Sequence, residues 1–106
     1  MAFEAIRKAG GTEAVTALVK LTKSKDLAIQ AMACSTLARM KTAAATAELK
    51  KLVKDSSKKT ALRTAAMNAL SRGGTSADRA WVASYAKNHS RLKGQYAWLS
   101  KQSFYK

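Results

Sequence analysis

An internal repeat constrains the fold of this chain more than any other feature. Residues 27–42 and 60–75 align at an offset of 33, with five of their sixteen positions identical. In the first copy Ile29, Ala33 and Leu37 recur at every fourth position, which places them on one face of an α-helix. A repeat of this length is typical of stacked supersecondary units that bury a shared core.

The segments between the repeated helices also resemble one another. Residues 12–26 and 42–56 both begin with threonine, contain a Leu-x-x-Leu step and include several lysines towards their ends. Alanine is abundant and proline is absent, which favours helices throughout the chain. Start and stop signals then predict seven helices in an all-α domain that spans residues 1–106. Their predicted ranges are 2–9, 12–23, 26–40, 42–54, 57–72, 76–88 and 90–102.

The predicted helix ends carry recognisable residues. Residues with side-chain oxygens are expected to cap the helices that follow them, namely Thr12, Asp26, Thr42 and Thr75. Glycine readily adopts the left-handed conformation after a helix. The glycine pairs that are expected to stop helices are Gly10-Gly11 and Gly73-Gly74. Five of the six acids lie near helix starts, where negative charge is favourable, so helix structure accounts for most acids but not for most lysines.

The repeated helix follows a pattern of an acidic cap, Val-Arg, Ala-Ala, Ala-Leu and a terminal glycine. The first copy matches this pattern at Asp26, Ile29-Gln30, Met32-Ala33 and Thr36-Leu37. The second copy matches it at Leu62-Arg63, Ala65-Ala66, Ala69-Leu70 and Gly73-Gly74. At these residues the chain resembles HEAT-like repeats of the variety also called PBS-lyase-type.

This resemblance covers residues 3–75 well and residues 76–103 loosely. It implies a short right-handed α-solenoid of about three antiparallel helix pairs that serves as a binding scaffold. Some relatives bind DNA along the concave face, and many others bind proteins. Three departures from the pattern are the missing proline before the second helix, Gln30 in place of the usual arginine, and a last unit that is aromatic and matches poorly, as expected of a terminal cap.

The net charge is the main indication of a ligand. Twenty Lys and Arg against six Asp and Glu give a net charge of +14. A charge this far from zero in a small domain indicates a polyanionic partner, usually nucleic acid. An acidic protein partner is the alternative. The single cysteine excludes an intramolecular disulfide, and no stretch approaches the length of a membrane span. We therefore expect a cytoplasmic protein.

The basic residues concentrate in the three turns that join the first helix of each pair to the second. Segments 20–25, 50–59 and 87–93 contain eleven of the 20. Equivalent turns of a solenoid stack on one edge, with helices about 8–10 Å apart. Lysine near a helix C-terminus is favourable in itself, but a cation at a helix start opposes the dipole. Four residues in the second situation are therefore the best-motivated phosphate contacts: Lys25, Lys58, Lys59 and Arg91.

Two further basic residues complete the predicted nucleic-acid-binding set. Lys93 belongs to the third turn, and Arg63 follows the family pattern near the start of a repeated helix. Arg63 has two interpretations: a contact to a ligand near the concave face, or a packing contact within the repeat. The set favours backbone contacts with little base specificity, and it distinguishes neither DNA from RNA nor one strand from two.

Aromatic residues cluster at the C-terminal end of the chain. Helical spacing favours Trp81, Tyr85, Tyr96 and Leu99 as a plug that fills the open face of the last repeat. Trp98, Phe104 and Tyr105 are freer to form a contact surface. Stacking of nucleic-acid bases on these rings is the alternative.

Catalytic and metal-binding patterns are weak. His89 is a single histidine in a predicted turn, and Cys34 aligns with Met67 as a packing residue. No pair of acids is placed for general acid–base chemistry. We therefore predict a non-enzymatic module with no cofactor and no metal, and leave its oligomeric state open.

Overall fold

In the computed structural model, six helices form among the residues that the structure describes. These residues are 5, 6, 8, 10–55 and 58–102, with the side chains of residues 90 and 91 excluded. The helices are α1 (Gly11–Leu21), α2 (Leu27–Met40), α3 (Ala43–Lys54), α4 (Thr60–Gly73), α5 (Ser76–Lys87) and α6 (Ser90–Leu99). The predicted first helix, 2–9, lies largely outside the described residues, although Ala5, Ile6 and Lys8 are helical.

Side-chain caps begin three of these helices. The Asp26 carboxylate accepts hydrogen bonds from the backbone N–H groups of Ala28 and Ile29 at the start of α2. Thr42 caps α3, and Thr75 forms a capping box with Asp78 at the start of α5. The predicted Thr12 cap is wrong. Helix α1 already begins at Gly11, after Gly10 in the left-handed region, and has no side-chain cap.

The helices pack as antiparallel pairs in two layers. Each of α1, α3 and α5 contacts the helix that follows it. Direct packing of α2 on α4, and of α4 on α6, builds the second layer. The core between the layers consists of buried small and branched residues, including Leu18, Cys34, Leu37, Leu49, Ala66, Met67, Leu70 and Val82. The predicted all-α solenoid of helix pairs is confirmed.

Helices α2 and α4 run in the same direction, as the 33-residue offset predicts. Lysines that precede each helix line one cleft, so the two N-termini are neighbours. At the other end, a β-carbon added to Gly73 would lie 3.2 Å from the β-carbon of Ala38. Glycine at this position therefore allows the C-terminal ends of the two helices to approach closely.

Gly74 ends α4 for a different reason from the one expected. Its φ of −86° is not left-handed. A β-carbon there would collide with the carbonyl oxygen of Leu70 and with the side chain of Asp78. Since Asp78 forms part of the α5 capping box, Gly74 leaves room for the cap that starts the next helix.

The aromatic plug is confirmed in the third pair. Trp81, Tyr85 and Tyr96 are partly buried against the core, and Leu99 is fully buried. The rings of Trp81 and Tyr85 stack with their centroids 5.1 Å apart.

Candidate nucleic-acid interface

Lysines from two different repeats line a single cleft of about 600 Å³ beside the N-termini of α2 and α4. We call this set the lysine cleft, and its members are Lys23, Lys25, Lys58 and Lys59. The first two precede α2, and the last two precede α4. The structure thus brings together two of the three basic turns, which are more than 30 residues apart in sequence.

The lysine cleft lies at the N-terminal end of α4, where the helix backbone already carries partial positive charge. Lys59 is the N-cap residue of α4 and makes no capping hydrogen bond with its side chain. The first backbone N–H groups of a helix have no partner within the helix, and the dipole adds partial positive charge there. This end of α4 therefore combines lysine amines with uncapped N–H groups, an arrangement that suits an anion.

Among the residues that the structure describes, the lysine cleft has no close ion pair, although Asp26 follows Lys25 and the Asp55 carbonyl oxygen accepts from the backbone N–H of Lys58. Within the described part of the chain, no carboxylate lies within 4 Å of any of its four amines. Two other turn lysines have partners: Lys50 Nζ lies 5.3 Å from the ring centroid of Trp81, and Lys51 pairs with Glu48 at 3.5 Å. Lys20 and Lys54 lie in the last turns of α1 and α3, where the helix dipole favours a cation. The members of the first two turns that have neither a ring or carboxylate partner nor this helix-end position are therefore Lys23, Lys25, Lys58 and Lys59.

The third basic turn does not join the lysine cleft. Lys87 and Lys93 are exposed, but neither lines the cleft. The side chain of Arg91 lies outside the described residues, although its backbone is in the first turn of α6. Lys93 and Arg91 remain predictions for a third contact on the α6 side.

The structure removes Arg63 from the predicted binding set. Its side chain is only 4% exposed, and its Nε donates a hydrogen bond to the Val53 carbonyl oxygen at 2.8 Å. A buried guanidinium already bonded to the last turn of α3 cannot reach a phosphate in solvent. Gln30, the equivalent residue of the first repeat, donates similarly from Nε2 to Ser24 O at 2.7 Å. Both side chains tie the second helix of a pair to the carbonyl groups just before it.

Sequence reasoning passed over Lys23. Lys23 is the last residue of the predicted helix 12–23, where a lysine is favourable in itself, but α1 ends at Leu21 and Lys23 lies in the turn. Its membership of the first basic turn was the signal that could have identified it. The apolar surface beside the cleft was also missed, although exposed Leu27 at the start of α2 indicates it.

The remaining aromatic candidates divide between described and undescribed residues. Trp98 is 46% exposed, and the guanidinium carbon of Arg72 lies 5.9 Å from its ring centroid. This pair lies at the opposite end of α4 from the lysine cleft. Phe104 and Tyr105 lie outside the described residues.

His89 and Cys34 have structural surroundings. The His89 ring stacks on Tyr85 at 3.7 Å, and its Nδ1 lies 2.6 Å from the Tyr85 carbonyl oxygen, near the end of α5. Burial raises the pKa of the Cys34 thiol to about 12, so this thiol is protonated at neutral pH and a poor nucleophile. No cluster of three metal-ligating side chains occurs among the described residues. In the same part of the chain, no helix has the length and hydropathy needed to cross a membrane.

Comparison with known proteins agrees with the fold. Residues 1–71, about two thirds of the chain, match the family model described as HEAT repeats. Searches of curated proteins and of solved structures found no match. HEAT repeats are generally protein-interaction scaffolds and typically have no enzymatic activity. This chain therefore belongs to the HEAT repeat family, as its family match shows and as its paired helices and 33-residue repeat agree.

Proposed function

We propose that this protein binds the phosphate backbone of nucleic acid through the lysine cleft. The observation that carries the proposal is the convergence of Lys23, Lys25, Lys58 and Lys59, from two repeats, in one cleft. Four amines that form no ion pair among the described residues attract a chain of phosphates and release its counterions on binding. The overall charge of +14 adds long-range attraction to the same partner.

Low base specificity follows from the chemistry of the cleft. Lysine amines are compact point charges without the planar fork by which arginine recognises guanine. Gln30, the amide side chain that lines the cleft, already donates to the Ser24 carbonyl. The bond to Ser24 holds the Gln30 amide in place, and the charged groups that the cleft offers are lysine amines suited to phosphates.

The test is a salt titration with a matched charge control. The first variant replaces all four residues of the lysine cleft with alanine. The control replaces four exposed basic residues elsewhere, Lys8, Arg39, Lys51 and Lys101, so that both variants lose the same net charge. Affinity for duplex DNA, single-stranded DNA and RNA is measured between 50 and 200 mM salt.

We expect the affinity of the natural protein to fall steeply with salt, by about 10³–10⁵ over this range if 6–10 phosphates are contacted. Loss of four contacts lowers the slope of log K against log salt by about 3–4 for duplex DNA. The control variant keeps a slope within about one unit of the original. Absence of binding at 50 mM salt, or equal losses in both variants, contradicts the proposal.

A second candidate function is binding of an acidic protein partner. HEAT repeats generally mediate protein interactions, and an apolar groove continues from the lysine cleft along α2 and α4. An apolar surface beside a cationic one suits a peptide that has both apolar and acidic residues.

A further inference from the structure

An open groove of about 380 Å³ runs between α2 and α4 on the face formed by the second helices of the pairs. Its lining is dominated by small side chains: Ala31 and Ser35 from α2, and Ala61, Thr64, Ala65 and Ala69 from α4. Leu27 lines the end nearest the lysine cleft and is 63% exposed. The lysine cleft therefore passes directly into an apolar floor.

The shape of this floor suits a third helix. On each of the two parallel helices, small residues four positions apart form a row. A shallow channel lies between the two rows. Ridges of side chains on one helix pack into such grooves, and alanine allows close approach. The length of the groove along α2, from Leu27 to Ser35, is about 12 Å at 1.5 Å per residue, which corresponds to just over two helical turns.

The charges around the groove determine what kind of helix fits. Basic side chains lie at its ends, in the lysine cleft and at Arg72, whereas the floor between them has none. A continuous phosphate chain gains nothing from the alanine floor. The Asp26 carboxylate caps α2, whereas the N-terminus of α4 has no cap from the Lys59 side chain and adds positive partial charge at the lysine end. The negative C-terminal end of another helix is favoured there.

We infer that the groove binds one amphipathic helix of a protein partner, oriented antiparallel to α2 and α4. Apolar side chains of this helix pack on the floor between Ala31 and Ala65, and acidic residues in its last turn contact the lysine cleft. The inference rests on the second candidate function, the acidic protein partner. It shares the lysine cleft with the nucleic-acid proposal and differs from it in the contacts along the groove.

The test uses three synthetic peptides of sixteen residues. The first has a leucine and alanine face and three glutamates at its C-terminal end. The second moves these glutamates to the N-terminal end, and the third keeps the C-terminal glutamates but replaces the apolar face with serine and glutamine. Chemical-shift changes in ¹⁵N-labelled protein report the affinity and the contacted residues.

We expect the first peptide to bind at least tenfold more tightly than the other two, with shifts along α2 and α4. Ala31→Trp fills the groove at an exposed position and is expected to weaken this binding at least tenfold. The control Ala44→Trp, at an exposed position on α3, changes the affinity less than twofold. Thr64→Tyr serves as a second obstruction if thermal unfolding shows that Ala31→Trp is not folded.

Other outcomes separate this inference from nucleic-acid binding. Equal affinity of the first and third peptides would show that binding depends on charge alone, and it would overturn the inference that apolar side chains pack in the groove. Unchanged affinity in both groove variants also overturns it. Binding of DNA without binding of any peptide overturns the inference and supports the nucleic-acid proposal. Ala31→Trp should leave DNA affinity unchanged, because Ala31 is not part of the lysine cleft.

Discussion

The two ends of the α2–α4 pair differ in how they use positive charge. At the C-terminal end, Arg39 and Arg72 lie in the last turns of their helices, where the dipole favours a cation. At the N-terminal end, Lys58 and Lys59 lie at a helix start, where the dipole opposes them. Helix stability therefore explains the first set and not the second. A cation placed against the dipole and without an acidic partner is the better indication of an external anion.

The largest effect is expected from Arg63, the buried cation near the N-terminal end. Arg63→Ala removes the hydrogen bond to Val53 O and the packing of the side-chain stem, which lowers the free energy of unfolding by about 3 kcal/mol. Chemical denaturation measures this change. The control Lys54→Ala, an exposed residue of the same α3 turn, should differ from the natural protein by less than about 0.5 kcal/mol. Equal losses of unfolding free energy in both variants would show that the hydrogen bond from Arg63 to Val53 O does not stabilise this end of the pair.

Gly74 provides the corresponding test at the C-terminal end. Gly74→Ala forces a β-carbon against Leu70 O and Asp78, and we expect it to destabilise the fold by about 2 kcal/mol. Gly94→Ala is the matched control, since a β-carbon there meets no atom within 4 Å. In the interior of α6 this change should stabilise the protein by about 0.5–1 kcal/mol. Thermal unfolding that ranks the two variants in the opposite order would refute the proposed close approach.

Substitution of Lys59 is expected to change the free energy of unfolding and the DNA affinity in opposite directions. Lys59→Asp supplies α4 with a capping side chain, so the free energy of unfolding should rise by about 1 kcal/mol. The same variant reverses a charge in the lysine cleft and should weaken DNA binding more than Lys59→Ala does. Denaturation and DNA titration on one protein sample give both values. A variant that gains stability and keeps its full DNA affinity would remove Lys59 from the interface.

Arg39 should show the smallest effect. Arg39→Ala removes a favourable charge from the last turn of α2, which costs about 0.5 kcal/mol at low salt and less at high salt. Its DNA affinity should stay well above that of Lys58→Ala, which has the same net charge. Comparison of these two single variants at 50 mM salt checks whether binding depends on position or on total charge alone.

Much of the fold could be predicted because helix signals are local. The four-residue spacing of Ile29, Ala33 and Leu37 predicted α2, and Asp26 caps it as expected. The aromatic plug followed from the same reasoning at Trp81 and Tyr85. At Gly74 the local rule for helix ends failed, because a contact with the next helix decides which residue fits there. Gly74 is needed for space beside Asp78 rather than for a left-handed backbone.

The candidate site could be predicted only in part. Lys25, Lys58 and Lys59 were identified from their positions at helix starts, and the structure places them together with Lys23. Arg63 carried two interpretations from sequence, because the burial of a side chain depends on the neighbouring helix. Its bond to Val53 joins two helices of one pair, and no spacing rule predicts such a contact.

By itself, the sequence determined that this chain forms repeated helix pairs and carries a large uncompensated positive charge. Only the tertiary structure decided which lysines share a cleft, that Arg63 is buried, and that an apolar groove continues from the lysine cleft. The physical reason is the range of the interactions. Helix formation depends on residues three and four apart, whereas the neighbours of a turn depend on how whole helices pack.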